Sequence, residues 1–164
     1  MKDLSDNIVS TIGFIEDNLK SISTDGYKYK SNNLKNYILS LNNNFDNLSY
    51  YFFRQANNIN ENEFKSNYLK LSKTSTKINE TIKRLKRTVL DDYVDTIHEE
   101  NGDVSICFSF SEEKLKNVFD KRLNVISYVF NYIKNEYNKL EKNKWKCFYK
   151  LFLKYYKYNL LFVV

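Results

Sequence analysis

The stretch 111–158 constrains the fold most, because it contains neither Gly nor Pro and carries a helical pattern along its length. Its apolar residues recur at steps of three and four, which places them on one face of an α-helix. They are Phe119, Leu123, Ile126, Phe130, Ile133, Tyr137 and Leu140, followed by Phe148, Leu151, Phe152 and Tyr155. A single helix over this stretch would be about 70 Å long. We therefore predict a long C-terminal helical region with a kink or break at about 135–144, where the apolar pattern weakens.

Three shorter helical patterns precede it, each with an apolar face that needs a neighbour. The first pattern is Leu4, Ile8, Ile12 (or Thr11), Ile15, Leu19 and Ile22, and the second is Leu34, Ile38, Leu41, Phe45, Leu48 and Phe52. The third is Phe64, Tyr68, Leu71, Ile78, Ile82, Leu85 and Val89, with Ser75 at one core position. Helices with such faces cover one another in a bundle.

The pattern changes to strand spacing after about Leu90, where Val104, Ile106, Phe108 and Phe110 alternate with small residues. The preceding dipeptide Asn101-Gly102 is typical of a two-residue hairpin turn. Folding about it pairs Ile97 with Ile106, which predicts a β-hairpin over about 93–110. In the alternative, the third helix continues to about His98 and leaves one strand. The predicted fold is mainly α, a single domain over 1–164: an elongated bundle of four to five amphipathic helices with a small hairpin before the long C-terminal helical region.

Composition narrows the class of protein. The chain has three Gly, no Pro, one Ala and 22 Lys against 4 Arg, a bias towards residues with AT-rich codons. Part of the net charge of +6 therefore reflects codon bias. The chain has two cysteines, too few for a disulfide framework. No apolar run approaches the roughly 18 residues of a membrane span. The N-terminus lacks the basic region of a signal peptide. These features predict a cytoplasmic protein in a reducing compartment, and the composition is similar to that of phage-encoded inhibitors and other products of AT-rich mobile elements.

Two basic ridges are candidate binding surfaces, since about 100° per residue places the lysines of each on one arc of a helix. The C-terminal ridge comprises Lys139, Lys146, Lys150, Lys154 and Lys157, with Trp145, Tyr149 and Tyr156 beside it. The secondary ridge comprises Lys70, Lys73, Lys77, Arg84 and Arg87. Such ridges either form the solvated side of amphipathic helices or contact phosphates, with the aromatic rings stacking on unpaired bases.

Catalytic and metal chemistry have little support in the sequence. Asp91-Asp92-Tyr93-Val94-Asp95 resembles the DDxxD motif of prenyl-diphosphate enzymes, but the large helical barrel and second metal motif of those enzymes are absent. Asp91, Asp95 and His98 would share a face only if the third helix continued. A thiol site at Cys107 and His98 is a further alternative, and a structural cysteine is the ordinary interpretation. We predict no enzyme, no metal and no cofactor.

Fourteen Tyr and twelve Phe exceed the needs of one small core, and tyrosine is favoured at protein interfaces. Several lie off the predicted core faces: Tyr27, Tyr29, Tyr50, Tyr51, Phe53, Tyr128, Tyr132, Tyr149, Tyr156 and Tyr158. We therefore expect a non-catalytic interaction protein that binds or occludes a protein or nucleoprotein partner. The alternative is direct binding of RNA or single-stranded DNA along the lysine ridges. The apolar tail 160–164 would dock on its own core, on a second copy of the chain or on a partner.

Overall fold

A computed structural model describes residues 3–25, 32–90, 95–98, 104–107 and 112–160 of the chain. Within these ranges the elements are helices α1 (Leu4–Asp25), α2 (Asn32–Asn57), α3 (Asn62–Leu90) and α4 (Glu112–Leu160), with strands β1 (Asp95–His98) and β2 (Val104–Cys107) between α3 and α4. The predicted mainly α fold is confirmed. The predicted third helix is also confirmed, because α3 has 29 residues and is therefore about 44 Å long.

Consecutive helices pack side by side, and α4 closes the bundle by lying against α3 and, more loosely, against α1. Small polar side chains hold α2 against α3. The Ser49 hydroxyl donates to the carbonyl of Ser72, at 3.0 Å, and the amide of Asn79 donates to the carboxylate of Asp46. As the residue number rises along α2 from Asp46 to Ser49, the number of the contacted residue on α3 falls from Asn79 to Ser72. The two helices are therefore antiparallel.

The core of the bundle is formed by the predicted apolar faces. Among the side chains that the structure describes, twenty-four apolar ones are buried, from Ile8 on α1 to Leu140 on α4. All six residues predicted on α2 are among them, as are the seven predicted on α4 between Phe119 and Leu140. Ser75 is fully buried at its predicted core position, where its hydroxyl donates to the carbonyl of Leu71 one turn earlier, at 2.9 Å. Side-chain periodicity therefore identifies the core of all four helices.

The C-terminal helix departs from the prediction in two ways. It is one continuous helix of 49 residues and is not interrupted at about 135–144, so of the predicted kink or break only the kink stays a prediction. Without Gly or Pro, nothing in that stretch removes a backbone donor or adds backbone freedom. The second departure concerns Phe148, Leu151 and Phe152, which were predicted in the core and are exposed. Among the described side chains of α4 the last buried one is Leu140, so the core ends there and the helix continues beyond it.

The two strands pair antiparallel, with Thr96 opposite Ile106 and Ile97 opposite Ser105. The predicted register, with Ile97 opposite Ile106, is therefore wrong by one residue. Five residues separate the strands, so the pairing is centred on Asn101 and not on the Asn101–Gly102 bond. The connecting residues and the predicted ends of the hairpin at 93 and 110 lie outside the described residues. The hairpin over 93–110 thus stays a prediction.

Among the described helices, none combines the length and the apolarity needed to cross a membrane.

Candidate interaction surface on the C-terminal helix

Helix α4 leaves the bundle at a cluster of aromatic and hydroxyl side chains. The Tyr68 hydroxyl donates to the Glu141 carboxylate at 2.6 Å, and the hydroxyls of Tyr137 and Ser5 are hydrogen-bonded at 3.2 Å. The Phe52 ring lies between the two tyrosines, with centroids 6.2 Å from Tyr68 and 5.8 Å from Tyr137. Burial raises the pKa of both phenols, because it penalises the charged phenolate, and the Glu141 carboxylate raises the pKa of Tyr68 further. This cluster fixes α4 at the point where the core ends.

Beyond Glu141, every residue of 142–153 is exposed, and we call this range the projecting segment. Trp145 is 69% exposed and Phe148 is 63% exposed, and their rings meet edge to face at 6.3 Å. The exposed apolar side chains of the segment are Trp145, Phe148, Tyr149, Leu151, Phe152 and Leu153. Single exposed apolar residues are normal on a protein surface, but six within one short stretch of helix make it a candidate interaction surface.

The predicted C-terminal ridge lies largely on this segment. Lys146 and Lys150 are exposed there, beside the exposed rings of Trp145 and Tyr149. Lys139 lies one turn below the segment and donates to the Glu136 carboxylate at 2.6 Å, which raises the pKa of this lysine. Lys154, Tyr156 and Lys157 fall within the bounds of α4, but their side chains lie outside those described. The structure thus brings four of the predicted residues together on one exposed stretch of helix.

Two members of the secondary ridge, Lys70 and Arg84, contact α4. The ridge residues Lys70, Lys73, Lys77, Arg84 and Arg87 are all exposed. The Lys70 ammonium lies 6.0 Å from the centre of the Tyr132 ring on α4, and Arg84 lies 3.6 Å from the Glu80 carboxylate. The Arg122 guanidinium donates to the carbonyl of Arg84, at 2.5 Å. Arg122 therefore extends this ridge onto α4, which the sequence pattern of α3 alone did not show.

Two clefts flank α4 where it leaves the bundle. The first, of about 370 Å³, lies beside the start of α1 and is lined by Asp3, Ser5, Glu141, Lys144, Trp145 and Phe148. The second, of about 280 Å³, lies beside the connection between α2 and α3, where Ile59, Phe64, Cys147 and Leu151 line it together with Lys144 and Phe148. Phe148 lines both clefts, so it stands at the centre of the surface.

The other predicted surface aromatics are distributed over the bundle. Tyr50, Phe53, Tyr128 and Tyr132 are exposed, whereas Tyr51 is half-buried and packs against the core. Tyr27, Tyr29, Tyr156 and Tyr158 lie outside the side chains that the structure describes.

The residues considered for metal or thiol chemistry remain untested, because the side chains of Asp91, Asp95, His98 and Cys107 are outside those described. Elsewhere in the described part of the chain, no group of three His, Cys, Asp or Glu side chains is placed to hold a metal ion. Cys147, the described cysteine, is exposed on the projecting segment.

Comparisons with protein-family models, with curated proteins and with solved structures find no match to this chain.

Proposed function

We propose that this protein is a non-catalytic, cytoplasmic interaction protein that binds or occludes a protein or nucleoprotein partner through the projecting segment of α4. One observation carries the proposal: a helical segment with six exposed apolar side chains extends from an otherwise well-packed bundle. Isolated helices are marginal in water, and most helical stability in proteins comes from packing of the apolar face. A partner that covers this face would supply the missing packing, as in helix-in-groove recognition.

Site-specific photo-crosslinking in cells of the native source tests this proposal. A benzophenone amino acid replaces Phe148 in one variant and Phe14 in its matched control, because the two residues are 63% and 59% exposed and only Phe148 lies on the segment. We expect a protein adduct from position 148 that survives nuclease treatment and high salt, and no adduct of the same mass from position 14. The same adduct from both positions, or none from 148, would contradict the proposal.

An inhibitor of a host protein is the form of this function that the AT-rich composition favours. An inhibitor acts by covering a surface that its target needs, so the protein cross-linked at position 148 would lose its own activity on binding. The assay is the activity of that identified protein, measured with the unmodified chain and with Phe148→Ser. Inhibition by the unmodified chain alone supports this form of the function, and equal activity in both cases excludes it.

Binding of RNA or single-stranded DNA is a second candidate, favoured by the exposed pairs Trp145/Lys146 and Tyr149/Lys150. Base stacking on the rings and phosphate contacts from the lysines would act together. We expect a labelled oligo(U) or oligo(dT) to bind the protein. Its affinity should fall steeply between low and moderate salt. The charge reversal Lys146→Glu with Lys150→Glu would abolish this binding, and the reversal of Lys20 on α1 would not. Equal binding by both variants excludes this candidate.

A further inference from the structure

Helices α3 and α4 share an outer face that does not include the projecting segment. Two contacts fix how the helices lie. The Lys70 ammonium is 6.0 Å from the centre of the Tyr132 ring, and the Arg122 guanidinium donates to the carbonyl of Arg84. As the residue number rises from Lys70 to Arg84 on α3, the contacted residue on α4 falls from Tyr132 to Arg122. The two helices are therefore antiparallel neighbours, with about 21 Å of α3 between the two contacts.

Helix α3 supplies the positive charge of this face. At about 100° per residue, four exposed basic side chains lie within an arc of roughly 60°, on the side of α3 away from the buried Ile78. They are Lys70, Lys73, Lys77 and Arg84. The Arg84 guanidinium is paired with Glu80, whereas among the described residues neither Lys73 nor Lys77 is paired with a carboxylate. The two lysine ammonium groups are therefore available to an anionic partner.

Helix α4 supplies exposed rings beside these charges. Tyr128 and Tyr132 lie one turn apart and are 77% and 36% exposed. The Tyr132 ring is in contact with the Lys70 ammonium. Because the helices are antiparallel, the Tyr128 ring lies about 6 Å further along, level with the stretch of α3 between Lys73 and Lys77. We call these five residues the α3–α4 face.

This combination of charges and rings fits a single-stranded nucleic acid. Such strands are bound by a positively charged track for the phosphates, beside aromatic side chains on which unpaired bases stack. We infer that the α3–α4 face binds single-stranded RNA or DNA, with phosphates along Lys73 and Lys77 and a base on Tyr128. Codon bias increases the number of lysines, but it does not place an exposed tyrosine beside them.

Two other anionic partners fit this face less well. A duplex keeps its bases paired, so it would use the lysines and leave the Tyr128 ring without a base. An acidic peptide would also meet the lysines, but it offers Tyr128 no flat base. The carboxylates of Glu80 and Glu136 lie beside the face and are paired with Arg84 and Lys139, so their repulsion of a phosphate is reduced.

Charge reversal on α3 tests the phosphate track. The probe is a labelled oligo(U) or oligo(dT) of about 12 nucleotides, within the usual site sizes, and its fluorescence anisotropy reports binding to the full chain. We expect Lys73→Glu with Lys77→Glu to weaken binding at least about ten-fold. The slope of log affinity against log salt should become shallower by about 1.4, since each phosphate contact on a single strand contributes about 0.7.

The matched control is Lys83→Glu with Lys86→Glu. These lysines are exposed on the same helix, and the change in net charge is the same, but they point away from the α3–α4 face. We expect the control to retain most of the affinity. An equal loss in both variants would show that only the net charge matters, and no binding by the unmodified chain would also overturn the inference.

Substitution of the rings tests base stacking. Tyr128→Ala should weaken the oligonucleotide at least about five-fold, and Tyr149→Ala, at a tyrosine that is 62% exposed on the projecting segment, should not. A loss with Tyr149→Ala and none with Tyr128→Ala would assign the strand to the projecting segment. Equal affinity for a duplex of the same length, or for polyglutamate, would exclude unpaired bases as the ligand. Each of these results overturns the inference.

The α3–α4 face and the projecting segment can be tested separately. Phe148→Ser should leave the affinity for the oligonucleotide unaltered, because Phe148 lies on the projecting segment. A protein adduct at position 148 without oligonucleotide binding overturns the role of the α3–α4 face and leaves the proposed function in place. Oligonucleotide binding that is lost in Lys73→Glu with Lys77→Glu, without any adduct at position 148, supports the face and contradicts that function.

Discussion

At the scale of single residues, the hydrogen bond from Tyr68 to Glu141 joins the core to the base of the projecting segment. Tyr68→Phe keeps the ring against Phe52 and removes only the hydroxyl. Hydrogen bonds to charged groups contribute about 1.5–3 kcal/mol, and the half-buried Glu141 regains some hydration in the variant. We expect a loss of about 1–2 kcal/mol in the free energy of unfolding, measured by urea denaturation. The control Tyr128→Phe, at an exposed tyrosine, should change the free energy of unfolding by less than about 0.5 kcal/mol.

The raised pKa values of Tyr68 and Tyr137 predict how stability changes in alkali. In the unfolded chain both phenols ionise near pH 10, whereas in the folded chain their pKa values are higher and the protons are retained. The unfolded state then binds fewer protons, so the free energy of unfolding falls as the pH rises above about 10, by up to about 1.4 kcal/mol per pH unit for each linked group. Below that pH the two tyrosines contribute no pH dependence. Urea titrations between pH 9 and 11 should show a steeper fall for the unmodified chain than for Tyr68→Phe with Tyr137→Phe, and parallel curves would contradict this linkage.

At the scale of elements, the contact between α2 and α3 depends on small polar residues. Ser75 is fully buried in α3, where its hydroxyl donates to the carbonyl of Leu71, and a leucine at this position would put three carbon atoms in place of that hydroxyl in the core. Ser75→Leu should therefore destabilise the bundle by about 1–3 kcal/mol, the usual cost of overpacking. Ser66→Leu is the matched control, since Ser66 is exposed on the same helix. Thermal unfolding followed by circular dichroism compares them, and equal melting temperatures would show that the core adapts at Ser75.

The helices also show which buried faces could be predicted from the sequence and which could not. Apolar periodicity identifies which face of a helix is to be buried, and so Phe45, Ile78 and Ile133 were all assigned correctly. Periodicity does not reveal whether another helix is long enough to cover that face. Phe148 has the same pattern as Phe130, so it was assigned to the core, but it is 63% exposed and lies beside the first residues of α1 and α3. The exposed Lys146, Lys150, Trp145 and Tyr149 were assigned to a surface from the sequence, whereas Phe148, Leu151 and Phe152 were not.

The projecting segment should also differ from the rest of α4 in its dynamics. Amide protons in a packed helix exchange only through larger openings, whereas a helical end without tertiary contacts frays readily. We expect amides of 145–153 to exchange at least about 100-fold faster than those of 123–137 in the free protein. Hydrogen exchange monitored by mass spectrometry measures this difference. Equal protection along α4 would mean that a neighbour, such as a second copy, already covers the segment.

At the scale of the whole molecule, the bundle and the projecting segment should be separable. Among the side chains of α4 that the structure describes, which end at Leu153, every buried apolar one lies at or before Leu140, so the described core does not include the residues that follow. A chain that ends at Lys142 should therefore fold, with a melting temperature within a few degrees of that of the full chain, because it loses none of the buried side chains that the structure describes. Its circular dichroism should decrease only by the helical signal of residues 143–160.

A second truncation provides the control that makes this prediction decisive. A chain that ends at Ile133 also loses Tyr137 and Leu140, which are buried against the other helices. Removing a large buried apolar side chain costs about 2–5 kcal/mol, so two such losses approach the roughly 5–15 kcal/mol by which natural proteins are stable. We expect this shorter chain to be unfolded or to melt far below the first. If the chain ending at Lys142 is equally unstable, then residues 143–164 are required for the bundle to fold. The projecting segment would then contribute to the stability of the bundle.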